Sequence, residues 1–326
     1  MANEAQPLAD RQLAVLAQVA PEWNTEFPLP AAAAPSLFHY TNAAGLLGIV
    51  ENKSLWASAI GYSNDLREIK CAYDIAKPQM DEVSSDPQFD HPGQRRLLRS
   101  LQDFLGDSEH PPQDGYSVSF CARNDLLSQW RAYGDQGGFS IEMSPLTEMN
   151  AIINAPVSLF TSDAGRVLLR AVDYDPDSQR RGFRSKIEQV LVLLRRLSGR
   201  DENPEFTIAI LTLTAMWLVE WIYSVKDPAF REEEEWRLIC LPEVRWSLMG
   251  RSTYNRPEAI HTRVRGSGIM PYVKLQRGNA LLPIRSVTCG PAQHPGLNKK
   301  AVELLLKSKG YGCEVRNSQV PLRTYR

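Results

Sequence analysis

The sequence predicts an α+β protein: a mixed, mostly antiparallel sheet core with flanking helices. Two observations carry this. Short runs such as Tyr116–Cys121, Y-S-V-S-F-C, alternate apolar and polar residues with the period of a strand that buries one face. The two longest helical patterns, Gly182–Leu197 and Glu205–Tyr223, stand in a block instead of alternating with strands. That arrangement favours α+β over a doubly wound parallel sheet. The pattern gives roughly eight or nine strands and five or six helices, with no internal repeat.

Residues 1–35 are expected to be an N-terminal helix and linker, and residues 36–326 a single α+β domain. Leu8–Ala20 reads as a short amphipathic helix, and the Pro/Ala-rich stretch after it as a linker or surface strap. A short apolar strand then ends in His39-Tyr40-Thr41. Asn42 or Thr41 caps a helix, because its side-chain oxygen can accept from free N–H groups of the first turn. Leu46, Leu47 and Val50 are spaced to share that helix's core face. Asn52-Lys53-Ser54 breaks it, and Leu55–Ser58 returns as a strand.

Asp65–Lys77 and Gly93–Leu105 read as helices. Tyr116–Cys121 and Phe139–Met143 read as strands, separated by a helical turn and a Gly-rich bend. Arg166–Tyr174, Glu234–Leu241, Ile269–Leu275, Leu282–Cys289 and Cys313–Arg316 are further strands. Asn298–Lys309 is a helix that ends at Gly310.

Bulk properties exclude several classes. The 326 residues are 43% hydrophobic, enough for a large core, and the net charge of −1 provides no global basic field for nucleic acid or acidic membrane. The five cysteines are scattered with no C-x-x-C pair, which points to neither a disulfide framework nor a zinc site and favours a reducing cytosol. The N-terminus lacks the basic and apolar regions of a signal peptide. The longest apolar stretch, Ile208–Val219, is too short to span a bilayer. No P-loop, H-E-x-x-H or G-x-S-x-G is present. Gly266-Ser267-Gly268-Ile269-Met270-Pro271 has a proline where a dinucleotide fingerprint needs its third glycine.

Three polar constellations remain: His39-Tyr40-Thr41 with Ser63, Asn64, Asp65 and Glu68; Ser128–Asp135, which contains Trp130, Arg131 and Tyr133; and Glu232–Arg237. A strand end over a helix N-terminus suits an anionic or nucleotide ligand. The structural alternative makes His39 a satisfied core histidine, Tyr40 a packing residue and Trp130 a core filler. In the third stretch, alternation puts Trp236, Leu238 and Cys240 on the core face and Glu233, Glu235 and Arg237 on the other. Arg180, Arg181, Arg184, Arg195, Arg196 and Arg200 read as a solvated helix face, with a nucleic-acid groove as the alternative.

These stretches resemble a bacterial domain-of-unknown-function family, number 2971. The resemblance is carried by F-H-Y-T-N-A-A-G-L-L-G-I-V, L-W-A-S, N-D-x-x-E, S-F-C, L-S-Q-W-R-A-Y-G-D, E-E-E-E-W-R-L and the closing Ser318-x-x-Pro321-x-Arg323. It runs from about residue 36 to 324. That family is more weakly similar to ADP-ribosyltransferases of the H-Y-E type, which implies an ADP-ribosyltransferase-like fold. In those enzymes a strand-end His holds the ribose of NAD, a Tyr stacks on nicotinamide and a Glu on a later strand completes the site.

The resemblance implies catalytic roles for His39 and for Glu235 or Glu233, with Tyr62 or Tyr133 as the stacking aromatic. The expected nucleotide site is His39, Tyr40, Thr41, Tyr62, Asn64, Arg67, Trp130, Arg131 and Tyr133, with Arg131 and Arg67 nearest the diphosphate and no metal. NAD would be a substrate, and a macromolecule or nucleotide the acceptor, in a cytoplasmic protein of toxin or anti-phage defence. Cleavage of the N-glycosidic bond builds positive charge on the ribose, which a nearby carboxylate stabilises. The competing readings are a non-catalytic nucleotide-binding sensor and a nucleic-acid-processing protein using the same cleft.

Overall fold

A computed structural model describes residues 15, 18–23, 36–62, 66–106, 115–133, 137–150, 155–158, 160–198, 204–242, 245–247, 250–252, 257–265 and 268–321. Residues 18–23 form a helical stretch (α1). Then follow β1 (Leu37–Thr41), α2 (Ala43–Asn52), β2 (Ser54–Ala59), α3 (Leu66–Ser84), α4 (Pro92–Gly106), β3 (Tyr116–Cys121), α5 (Leu127–Tyr133) and β4 (Phe139–Met143). The small pair β5 (Thr147–Asn150) and β6 (Ala155–Ser158) precedes β7 (Gly165–Ala171), α6 (Pro176–Ser198) and α7 (Pro204–Ile222). Next come β8 (Glu235–Pro242), β9 (Arg245–Ser247), β10 (Gly250–Ser252), β11 (Ile260–Arg265) and β12 (Gly268–Gln276). The chain closes with β13 (Ile284–Cys289), α8 (Pro295–Ser308) and β14 (Glu314–Asn317).

The protein is α+β, with a mixed and mostly antiparallel ten-stranded sheet. Its main path runs β11-β12-β2-β3-β1-β4-β13-β14, and the β7-β8 ladder joins through β3. Only β13 and β14 pair in parallel among the described strands. β9 with β10 and β5 with β6 form two small separate ribbons.

The two faces of β8 show the layering. Leu238 and Cys240 face a core shared with Leu46, Ile49 and Val50 of α2 and Val302 of α8. Ile239 and Leu241 face a second core made largely by α3, α4, α6 and α7. Val15, Val19 and Trp23 are buried in that helical core too. Burying such apolar faces contributes about 25 cal/mol per Å² removed from water.

Asn42 caps α2 through its side chain, which accepts from the Gly45 amide. Lys53 then ends the helix in the left-handed region, at φ 49°. One expectation for α2 is corrected. Leu47 is exposed, and Ile49 joins Leu46 and Val50 in the core, since the buried stripe of this short helix lies over the i+3 and i+4 positions from Leu46. Helix α3 also runs seven residues past the expected end at Lys77, carrying Pro78 inside it.

Candidate functional site

β3 changes neighbours part-way along one edge. At its start, Tyr116 and Ser117 pair with Ala59 and Ser58 of β2. At its end, Cys121 pairs with Phe38 of β1. Its opposite edge pairs with β8 throughout, from Tyr116–Cys240 to Cys121–Glu235. β1 and β2 therefore diverge from a common strand, and the sheet forks. A cleft of about 720 Å³ opens at the fork, bounded by β1, the first turn of α2, β2, β3, β8 and β11.

His39 occupies the fork. Its Nδ1 donates to the backbone carbonyl of Ser119 at 2.9 Å, in the stretch of β3 that pairs with neither β1 nor β2. Its ring lies 5.7 Å from that of Phe120. Burial lowers the imidazole pKa, and the positive charge of Arg263 lowers it further against the Ser119 hydrogen bond. A carbonyl can only accept, so the neutral ring carries its proton on Nδ1 and keeps Nε2 as an acceptor. That tautomer can take a hydrogen bond from a ligand hydroxyl.

The opposite wall holds two acids and two bases. Arg237 grips Glu235 with both prongs, Nε to Oε1 at 2.7 Å and a terminal nitrogen to Oε2 at 2.8 Å. Lys226 adds a bond to Glu235 Oε2 at 3.1 Å and one to Glu233 at 2.7 Å. Glu235 and Arg237 are each only 5% exposed. Burial would raise the Glu235 carboxyl, but the charge and hydrogen bonds of Arg237 outweigh it, aided by Lys226 and the Ser119 side chain, and hold it at about 2. The backbone fixes this carboxylate in two further ways. Arg237 also donates to the Tyr223 carbonyl at 3.0 Å, and the Glu235 amide donates to the Tyr174 hydroxyl at 2.9 Å.

Glu233 reaches the cleft by another route. The strand alternation stops at Glu235, because Glu234 takes a left-handed conformation with φ 42°. Glu233 is the last residue of the 3-10 turn Pro228–Glu233 and comes to the cleft through Lys226.

The remaining expected residues divide. Tyr40, Thr41 and Tyr133 line the cleft with His39. The Tyr40 hydroxyl is engaged in structure: it accepts from the Leu126 amide and donates to the Arg123 carbonyl. Its ring meets that of Trp130 edge-on at 4.9 Å. Trp130 lies outside the cleft lining, 3% exposed, with its indole N–H donated to Asp125 at 2.8 Å. Tyr62 and Arg131 are exposed and also lie outside the lining. Arg67 sits in the first turn of α3, and Asn64 is outside the described residues.

Three contributors escaped sequence reading. Ser119 joins the two walls, with its carbonyl on His39 and its side chain acting on Glu235. Lys226 bridges Glu233 and Glu235. Arg263 reaches the cleft from β11, donating to the Ser58 hydroxyl at 2.7 Å. The chain alternation of Ile260–Arg265, I-H-T-R-V-R, was the available signal for that strand.

Three of the arginines of α6 pair with acids: Arg180 with Asp177, Arg184 with Glu82 and Glu188, and Arg196 with Glu22, while Arg200 lies outside the described residues. No helix among the described residues is long and apolar enough to cross a membrane.

Comparisons with the curated proteins and with the solved structures give no match. A family match is found for a shorter stretch than the motifs at 36–324. Residues 129–238, from within α5 into β8, match the family described as "Protein of unknown function (DUF2971)".

Proposed function

We propose that this chain is an ADP-ribosyltransferase-like enzyme that binds NAD in the forked cleft and cleaves its N-glycosidic bond. The nicotinamide leaves with the bonding electron pair, and the acceptor, a macromolecule or a nucleotide, bonds to the ribose C1′ and gives up a proton. One observation carries this reading. His39 and Glu235 stand on opposite walls of the same cleft, joined through Ser119, the one with an acceptor nitrogen and the other kept ionised. An imidazole acceptor suits a ribose hydroxyl, and a fixed carboxylate suits the positive charge that develops on the sugar.

A second reading is favoured by the grip on Glu235. Both of its oxygens already accept from cations, which suits a cleft that binds a nucleotide without cleaving it. Incubation of the full chain with NAD separates the two. Time-dependent nicotinamide release supports the enzyme, and saturable NAD binding without release supports the sensor.

A further inference from the structure

We infer that Arg263, laid over an aromatic shelf of Trp56 and Tyr272, is the phosphate-binding group of the cleft. This deepens the nucleotide reading and rests on it for the identity of the whole ligand, but not for the chemistry of the phosphate.

The register places the parts. Arg263 pairs with Met270 across β11–β12, Tyr272 with Ser58 across β12–β2, and Ser58 with Ser117 across β2–β3. Ser119, two residues on, pairs with Arg237. Directly paired residues and residues two apart share a face. One sheet face thus carries Arg263, Tyr272, Ser58, Ser119 and Arg237 in sequence across five strands, with Glu235 at the far end.

The shelf holds the guanidinium in place. The Trp56 and Tyr272 rings stack at 4.9 Å with an interplanar angle of 27°. The Arg263 guanidinium carbon lies 5.7 Å and 5.8 Å from their centroids. Gly48 of α2 fits against the Trp56 indole, where a Cβ would stand 3.1 Å from the ring, so the shelf is backed by a helix. One terminal nitrogen of the guanidinium donates to the Ser58 hydroxyl at 2.7 Å and meets the Met270 sulfur at 3.8 Å, which orients the fork on the shelf. A planar, permanently charged fork pinned at a cleft wall matches the geometry of phosphate oxygens. The position also fits the substrate. A diphosphate lies between the two riboses of NAD, and Arg263 lies across the fork from the acidic wall, near enough for its charge to act on His39. Of the two cations expected from the sequence, Arg131 is exposed and outside the lining, and the side chain of Arg67 is outside the described residues.

The test is calorimetric titration of the full chain with inorganic pyrophosphate and, separately, with ADP-ribose. Arg263→Gln is expected to weaken both by about tenfold or more, the scale of a lost charge-assisted hydrogen bond. Arg316→Gln, an exposed change on β14, is expected to leave both unchanged. Arg263→Lys keeps the charge without the fork, serves if Arg263→Gln fails to fold, and is expected to weaken both ligands by a smaller factor. Undiminished binding of both ligands in a folded Arg263 variant overturns the inference and leaves the NAD reading standing. Arg263-dependent pyrophosphate binding without any NAD or ADP-ribose binding supports the shelf and removes the NAD reading. A wild-type chain that binds neither ligand overturns both.

Discussion

His39 Nδ1 donates to the Ser119 carbonyl at 2.9 Å, and that contact decides which imidazole nitrogen a ligand can meet. Because the ring is neutral and tied at Nδ1, it behaves as a fixed acceptor. Its folded pKa is lowered from 6.5, first by burial. Between the lowered folded pKa and 6.5 the unfolded chain binds the extra proton and the folded chain does not. His39 therefore contributes a stability that is present above pH 6.5 and lost as the pH falls through its folded value. NAD affinity is expected to hold across that window and to fall only lower, as the pH passes through the folded value and Nε2 becomes a donor. Thermal melts from about pH 7.5 downward, with binding measured over the same series for as long as the chain stays folded, check this. His39→Gln is expected to flatten both profiles, and an unchanged pH response in that variant removes His39 from the account.

Glu235→Gln tests the carboxylate. If Glu235 stabilises ribosyl charge, nicotinamide release drops by about 10²-fold or more. The substitution also leaves Arg237 and Lys226 short of an anion, and breaking such a buried pair from one side costs about 3–5 kcal/mol. Chemical denaturation at neutral pH should show that loss. The acid response gives a second measure. The carboxyl is held at about 2 against a usual 4.5, so its stabilisation is present above 4.5 and lost as pH falls toward 2. That loss should be absent in Glu235→Gln. Wild-type turnover in Glu235→Gln with a dead Glu233→Gln transfers the role to Glu233.

Trp130 and Arg131 are adjacent in sequence and opposite in consequence. Trp130→Ala removes a buried ring packed on Tyr40 and is expected to cost about 3–5 kcal/mol. Arg131→Ala removes an exposed side chain and is expected to stay within about 0.5 kcal/mol of wild type. Urea unfolding of the pair measures both, and equal losses contradict the placement of Trp130 in the core.

Gly115→Ala probes the support behind Arg237. A Cβ there would stand 2.1 Å from a ring carbon of Tyr223, which is 1% exposed and cannot swing aside. Such overpacking costs about 1–3 kcal/mol. Since the Tyr223 carbonyl accepts from Arg237, the same variant is expected to lower nicotinamide release beyond what its melting temperature explains. A variant as stable as wild type refutes the contact.

The elements were legible where one periodicity dominated. Tyr116–Cys121 and Phe139–Met143 form strands with the bounds expected from their alternation. The Trp236/Leu238/Cys240 face was also legible, and Leu238 and Cys240 lie in the core with Trp236 packed against it. Leu47 misled because four large aliphatic positions, Leu46, Leu47, Ile49 and Val50, in a ten-residue helix allow two neighbouring stripes, and only the sheet beneath selects one. The fork was invisible, since β3 takes its partners from residues 38, 58–59 and 235–240, and such long-range choices leave no local signal. Arg263 went unread for the same reason: its alternating strand has a charged face, and only tertiary pairing turns that face toward His39.

A strand that exchanges partners midway makes the sheet mechanically two ribbons sewn along one thread. β1, β4, β13 and β14 form one ribbon, and β2, β12 and β11 the other. Each is stiffened by its own ladders, while shear between them is resisted at Phe38–Cys121 on one side and at Ser58–Ser117 and Ala59–Tyr116 on the other. The lips of the fork are therefore the compliant direction of an otherwise rigid plate. A guest that touches His39 on one ribbon and Arg263 on the other adds a tie across that soft axis and resists its splaying.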